Sequence, residues 1–141
     1  MEIKVYIDGA SRGNPGKAGV GVVIQHEKKV IGFATKWIGN NVTNNFSEYE
    51  ALIFGLERLI ANGLSTQEHY ITIFTDSKLI VDQINGKNSI KSGKLLSQWE
   101  KSISLMKVFP NIFLEYTPKK LKHNKLADKL ANLAIDFKLN T

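Results

Sequence analysis

The chain has 141 residues, no cysteine and a formal net charge of +6. That length suits one domain, so 1–141 is expected to fold as a unit that buries roughly two-thirds of its unfolded surface. The lack of cysteine excludes disulfides and thiolate metal sites, and no run approaches the ~20 apolar residues of a membrane span. Met1-Glu2-Ile3-Lys4 carries no signal-peptide pattern, which makes the cytoplasm the expected compartment.

Taken in order, Ile3, Val5 and Ile7 alternate with Lys4, Tyr6 and Asp8, which predicts a strand over 3–8 that opens into a glycine-rich loop, Gly9 to Gly16. Gly19 to Gln25 and Val30 to Trp37 read as two further strands joined by a polar turn, giving an antiparallel meander. A helix is expected from Asn45 to Ala61. Its apolar residues Tyr49, Leu52, Ile53, Leu56, Leu59 and Ile60 share one face, and Asn62-Gly63 stops it. Tyr70 to Thr75 reads as a strand, Ser77 to Asn85 and Leu95 to Val108 as helices, Ile112 to Thr117 as the last strand, and Asn124 to Phe137 as the closing helix. This order implies an α/β fold with a five-stranded mixed sheet, three antiparallel strands plus two parallel, flanked by helices. The aromatic residues, among them Phe33, Phe113, Tyr116 and Phe137, are expected to fill the core.

Four acids stand out by their framing. Asp8 and Asp76 end apolar strands, Glu48 lies in the first turns of a helix after Thr43-Asn44-Asn45, and Asp128 lies in the closing helix. Strand ends are where α/β folds gather sites. Carboxylates converging there repel one another unless a divalent cation binds among them, and an all-oxygen ligand set favours Mg²⁺ or Mn²⁺. The pattern reads as a two-metal phosphoryl-transfer site. Structural alternatives exist for Glu48, Asp76 and Asp128. Asn45-Phe46-Ser47-Glu48 fits a capping box, Asp76 could cap the helix that follows it, and Asp128 lies roughly 200° around the helix from Leu126, off the stripe of Leu126, Leu130, Leu133 and Phe137.

Lysines gather at 119, 120, 122, 125 and 129, and again at 87, 91 and 94. Positive charge around an acidic site suits a polyanionic substrate. His26 and His69 read as solvent-exposed. His123, beside the last helix, is a candidate for proton transfer.

Asp8-Gly9-(four residues)-Asn14-Pro15-Gly16-(two residues)-Gly19, Thr43-Asn44-Asn45-(two residues)-Glu48, Thr75-Asp76-Ser77 and Asn124-(two residues)-Ala127-Asp128-(one residue)-Leu130-Ala131 together resemble type 1 ribonuclease H across essentially the whole chain. The resemblance implies the ribonuclease H fold and hydrolysis of the RNA strand of RNA–DNA hybrids with Mg²⁺ or Mn²⁺. It places Asp8, Glu48, Asp76 and Asp128 as catalytic metal ligands, has Asn14, Asn44 and Asn45 contact the hybrid, and gives Thr43 to a phosphate pocket on the DNA strand. No obligatory protein partner is implied.

The chain departs from the family pattern in three places. His123 abuts Asn124 instead of following a glycine in a longer loop. Residues 85–93 are too short for a basic, tryptophan-bearing extension. Ser92 stands where a phosphate-contacting asparagine is expected. The chain therefore looks most like the family's compact branch. The resulting mechanism has two ions at the scissile phosphate and 5′-phosphate products. Its rivals are a catalytically weak or inactive nucleic-acid-binding module of the same fold and a DNA-directed nuclease.

Overall fold

The computed structural model describes residues 1–87, 89, 90, 93–119 and 121–140. Its elements run β1 (Glu2–Gly13), β2 (Gly16–His26), β3 (Lys29–Val42), α1 (Asn44–Ala61), β4 (Tyr70–Thr75), α2 (Lys78–Ile84), α3 (Gly93–Met106), β5 (Ile112–Tyr116) and α4 (Lys122–Phe137). The strands form one mixed sheet in the order β3-β2-β1-β4-β5. The β1–β2 and β2–β3 pairs are antiparallel, and β1–β4 and β4–β5 are parallel.

Alternation along β1 and β2 decides which helix covers which face. Ile3, Val5, Ile7, Val20, Val22 and Ile24 turn to one side and pack with Tyr49, Leu52, Leu56 and Leu59 of α1. Tyr6 and Val23 turn to the other side and meet Ala127 and Leu130 of α4. β2 is buried from Ala18 to Gln25 because both its faces are covered. The helix α3 lies beside α1. Tyr49 Oη donates to Gln83 Oε1 at 2.6 Å and Trp99 Nε1 donates to the Gln83 carbonyl at 3.2 Å, which ties α1, α2 and α3 together. No helix among the described residues is long and apolar enough to cross a membrane.

The expected elements are all present, with three differences. First, the glycine-rich loop is mostly strand. β1 continues through Gly9 to Gly13, paired in register from Gly9↔Val20 to Gly13↔Gly16, so the connection shrinks to a tight hairpin at Asn14-Pro15. Low strand propensity in Gly9-Ala10-Ser11 is overridden by a waiting partner strand.

Second, α4 buries a different face. Asn124, Ala127, Leu130, Ala131, Ala134 and Ile135 point inward, while Leu126 and Phe137 are exposed. The cause lies in β2. A Cβ on Gly21 would sit 2.2 Å from the Ala127 carbonyl oxygen, and one on Gly19 would sit 2.5 Å from that of Ala131. The helix backbone therefore rests directly on the sheet through its alanines, with Leu130 beside them, and Leu126 falls to the exposed flank.

Third, Phe33, Phe113, Tyr116 and Phe137 are exposed rather than core. β3 and β5 are the edge strands, and Phe33, Phe113 and Tyr116 lie on them.

A candidate metal centre at the end of the central strands

Asp8 lies on β1 two residues beyond Tyr6, so it shares the α4-facing side of the sheet. Glu48 reaches the same point from α1. The N-cap of α1 is Thr43, whose Oγ1 accepts from the Phe46 N–H at 3.2 Å. The capping-box alternative for Glu48 therefore falls away, because the true cap lies two residues earlier and leaves Glu48 a turn further along. Its Oε1 accepts instead from the Gly9 N–H at 2.5 Å. That contact needs glycine on the strand, since a Cβ at residue 9 would lie 2.3 Å from the Ser47 carbonyl oxygen.

Asp76 follows β4, but Ser77 caps α2, accepting from the Ile80 N–H at 3.4 Å. The capping alternative for Asp76 fails as well, and its carboxylate is left for the cluster. Asp128 follows the buried Ala127, so the close seating of α4 on Gly21 carries it to the sheet edge.

One oxygen from each of Asp8, Glu48 and Asp76 lies within 4.8 Å of the others. Asp128 joins them through Lys119, whose Nζ is 3.1 Å from Asp128 Oδ1, 3.5 Å from Asp8 Oδ2 and 3.7 Å from Asp76 Oδ2. The four acids predicted from sequence are thus brought together, and Lys119 with them.

Their electrostatics is unfavourable in isolation. Asp8 is 3% exposed, and among the described residues neither of its carboxylate oxygens has a hydrogen-bond donor, nor does Asp76 Oδ1. Burial, then the charge of Glu48, a contact with Asp128 and the charge of Asp76 push the Asp8 carboxyl up to about 10, against the opposing pull of Lys119. Burial and then Asp76 push Glu48 up to about 8, against the Gly9 N–H and Lys119. Burial works against the charge on Lys119, but Asp8, Asp128 and Asp76 outweigh it and raise its pKa. Buried, donor-less oxygens from several carboxylates suit a hard divalent cation, so the residues present fit Mg²⁺ or Mn²⁺.

The acids line an open cleft of about 350 Å³ with Gly9, Ala10, Ser11, Asn44, Lys119 and Asn132. Of the four expected substrate-binding residues, Asn44 lines this cleft. Asn14 is tied to it through Oδ1, which accepts the Asn44 N–H at 3.0 Å. Thr43 and Asn45 are exposed beside it at the start of α1.

Sequence reasoning missed two elements of the site. Lys119 is expected from sequence only as one of several lysines that suit a polyanionic substrate, whereas the Thr75↔Tyr116 pairing of the parallel strands brings the turn after β5 beside Asp76. Asn132, one helical turn from Asp128, donates through Nδ2 to the Asp128 carbonyl at 3.0 Å and to Oδ1 at 3.3 Å. Arg12 holds Asn132 in turn, at 3.2 Å to its carbonyl and 3.3 Å to Oδ1, and pairs with Asp136 at 2.6 Å.

His123 stacks on Tyr6, ring centroids 5.0 Å apart. Lys87, Lys94, Lys125 and Lys129 are exposed. Lys91, Ser92, Lys120 and the side chain of Lys122 lie outside the described residues.

Residues 6–134 match a sequence model of the reverse transcriptase-like family. The chain is similar to the Bifunctional protein Rv2228c of Mycobacterium tuberculosis, at 36% identity over 138 residues. That match takes in 96% of this chain and 36% of the relative, so the chain spans about a third of the length of the mycobacterial relatives. RNase H1 from the halophilic archaeon Halobacterium salinarum superposes with a TM-score of 0.87 at 32% identity, covering 96% of this chain and 98% of that one. LC11-RNase H1, isolated from compost and solved in complex with an RNA/DNA hybrid, superposes with a TM-score of 0.88 at 36% identity, covering 98% and 99%.

Proposed function

The chain belongs to the type 1 ribonuclease H family, and from that premise we propose that it is an endoribonuclease that hydrolyses the RNA strand of RNA–DNA hybrids. The observation that carries this reading is the convergence of Asp8, Glu48 and Asp76 within 4.8 Å, with Asp128 at the same lysine. A single buried acid would be a stability cost. Several of them at one cleft, without enough donors, make sense as ligands. The hybrid bound to LC11-RNase H1, a protein of the same fold at 36% identity, supports the same substrate here.

In this reading Asp8, Glu48, Asp76 and Asp128 hold two Mg²⁺ or Mn²⁺ ions. Such ions would supply an activated water and charge stabilisation for the leaving 3′-oxygen, with 5′-phosphate products. Asp8, the carboxylate with the least exposure and a charge partner in each of Glu48, Asp76 and Lys119, would be the central ligand. Glu48 also reads the adjacent ribose 2′-OH, which distinguishes RNA from DNA at one position. Asn44 lines the cleft, with Asn14 bonded to its N–H and Asn45 next to it at the helix start, and in this reading the three bind the hybrid. Thr43 presents its hydroxyl at the helix start, where backbone N–H groups and the helix dipole favour a DNA-strand phosphate.

The test is a panel of strand-labelled RNA–DNA hybrid, DNA duplex and RNA duplex, incubated with Mg²⁺ or Mn²⁺. Cleavage confined to the RNA strand of the hybrid is expected. Hybrid binding without cleavage would favour a non-catalytic module, and cleavage of the DNA duplex would favour the DNA-directed alternative.

A further inference from the structure

Among the described residues Lys119 is the one cation inside the cluster, and its position is built rather than incidental. The backbone just before it is held at two successive residues. Thr117 N–H donates to the Thr75 carbonyl at 2.9 Å, continuing the β4–β5 pairing past the end of the strand. The buried Asn124 donates through Nδ2 to the Pro118 carbonyl at 2.7 Å. From there the side chain reaches three carboxylates that belong to three separate elements. Half of that side chain remains exposed, so the ammonium has an open route out of the cluster.

Opposite charges about 4 Å apart at a partly buried site attract more strongly than they would in bulk water. An ammonium among these oxygens therefore offsets much of their mutual repulsion. A Mg²⁺ ion coordinating the same oxygens would sit at 2.0–2.1 Å from them, too near the ammonium for both cations to be held at full strength.

We propose that Lys119 is the internal counter-cation of this site. It holds Asp8, Asp76 and Asp128 together before metal arrives, and a divalent ion must displace it toward the open cleft. Lys119 is thus a positioning residue that sets metal affinity by competition. The proposal rests on the reading of the acids as metal ligands, and its test separates the two.

Calorimetric titration with Mn²⁺ alone is carried out on the wild-type protein, Lys119→Met, Lys119→Arg and Asp8→Asn, with thermal midpoints measured in EDTA. Lys119→Met is expected to bind the first Mn²⁺ roughly tenfold more tightly and to melt lower in EDTA, whereas Lys119→Arg stays near the wild type in both. A lysine with a merely structural role would lower the midpoint and leave affinity unchanged or weaker, and that result overturns the proposal. Should Lys119→Met prove too unstable in EDTA to titrate, the double variant Asp8→Asn/Lys119→Met decides. Removing one acid relieves the need for a cation, so the double variant should melt higher than Lys119→Met, and strict additivity of the two changes would overturn the proposal. Failure of the wild type to bind Mn²⁺ would instead remove the metal-site reading on which the proposal stands, and the proposal with it.

Discussion

Asp8 has lost nearly all its hydration without gaining a hydrogen-bond donor. In the proposed function the same geometry makes it a ligand. Asp8→Asn keeps the shape, removes the charge and supplies an N–H₂ beside its acidic neighbours. In EDTA it should raise the thermal midpoint by roughly 3 °C or more, as differential scanning calorimetry would show. A lower midpoint would mean that the attraction of Lys119 for Asp8 outweighs burial and the repulsion of the neighbouring acids.

His123 gives the opposite case. Its ring is stacked on Tyr6, and general acid–base catalysis needs hydrogen-bond reach to the transferred proton. His123→Ala should lower kcat less than about tenfold, against the 10²- to 10⁴-fold typical of a well-placed proton-transfer group. A loss beyond a hundredfold with metal affinity intact would overturn that placement.

At this scale the convergence of the four acids was legible, because Asp8 and Asp76 end strands and Glu48 and Asp128 lie in recognisable motifs on helices. Lys119 was not. Nothing in the run 119–125 marks which lysine turns inward, since that depends on how far β5 runs beside β4.

Elements were legible where local signals agreed. β4 matches its expected range, and Asn62-Gly63 ends α1 where a stop was expected. They were misread where a long-range partner decided the outcome. The extension of β1 through Gly9 to Gly13 depends on β2. The face of α4 depends on Gly19 and Gly21, whose missing side chains select alanine over leucine as the contact surface.

That dependence can be tested. Gly21→Ala would place a methyl group 2.2 Å from the Ala127 carbonyl oxygen, and backbone cannot yield cheaply there. We expect a loss of about 1–3 kcal/mol in stability. A drop in kcat should accompany it, because the displaced helix carries Asp128. Gly93→Ala, where nothing lies within 4 Å, should leave both stability and kcat nearly unchanged. Equal effects from the two variants, measured by denaturant titration and steady-state kinetics, would show that α4 is not seated through Gly21.

Across the whole molecule, the net charge of +6 surrounds a site whose acids repel one another. The raised values of Asp8 and Glu48 mean that the folded protein keeps protons the unfolded chain has already released. Stability in EDTA should therefore fall as pH rises from about 4, near the unfolded carboxyl values, through the folded values of about 8 and 10. Divalent ions need the deprotonated ligands, so their stabilising effect should grow over the same range. Melting curves from pH 5 to 9, with and without Mg²⁺, should diverge; parallel curves would contradict this electrostatic account.

The five-stranded architecture was legible from the alternation of short strands and amphipathic helices. The crowding at the active end was not, since it arises only when four elements meet around Asp8.

The most direct measurement is single-turnover cleavage of an RNA–DNA hybrid labelled on the RNA strand, comparing the wild-type protein and Asp8→Asn in Mg²⁺, Mn²⁺ and EDTA. The wild type should cut the RNA strand only with a divalent ion present, and Asp8→Asn should fold, bind the hybrid and leave it intact. Undiminished cleavage by Asp8→Asn, or cleavage by the wild type in EDTA, would contradict the assignment of these carboxylates as the metal-holding centre of the reaction.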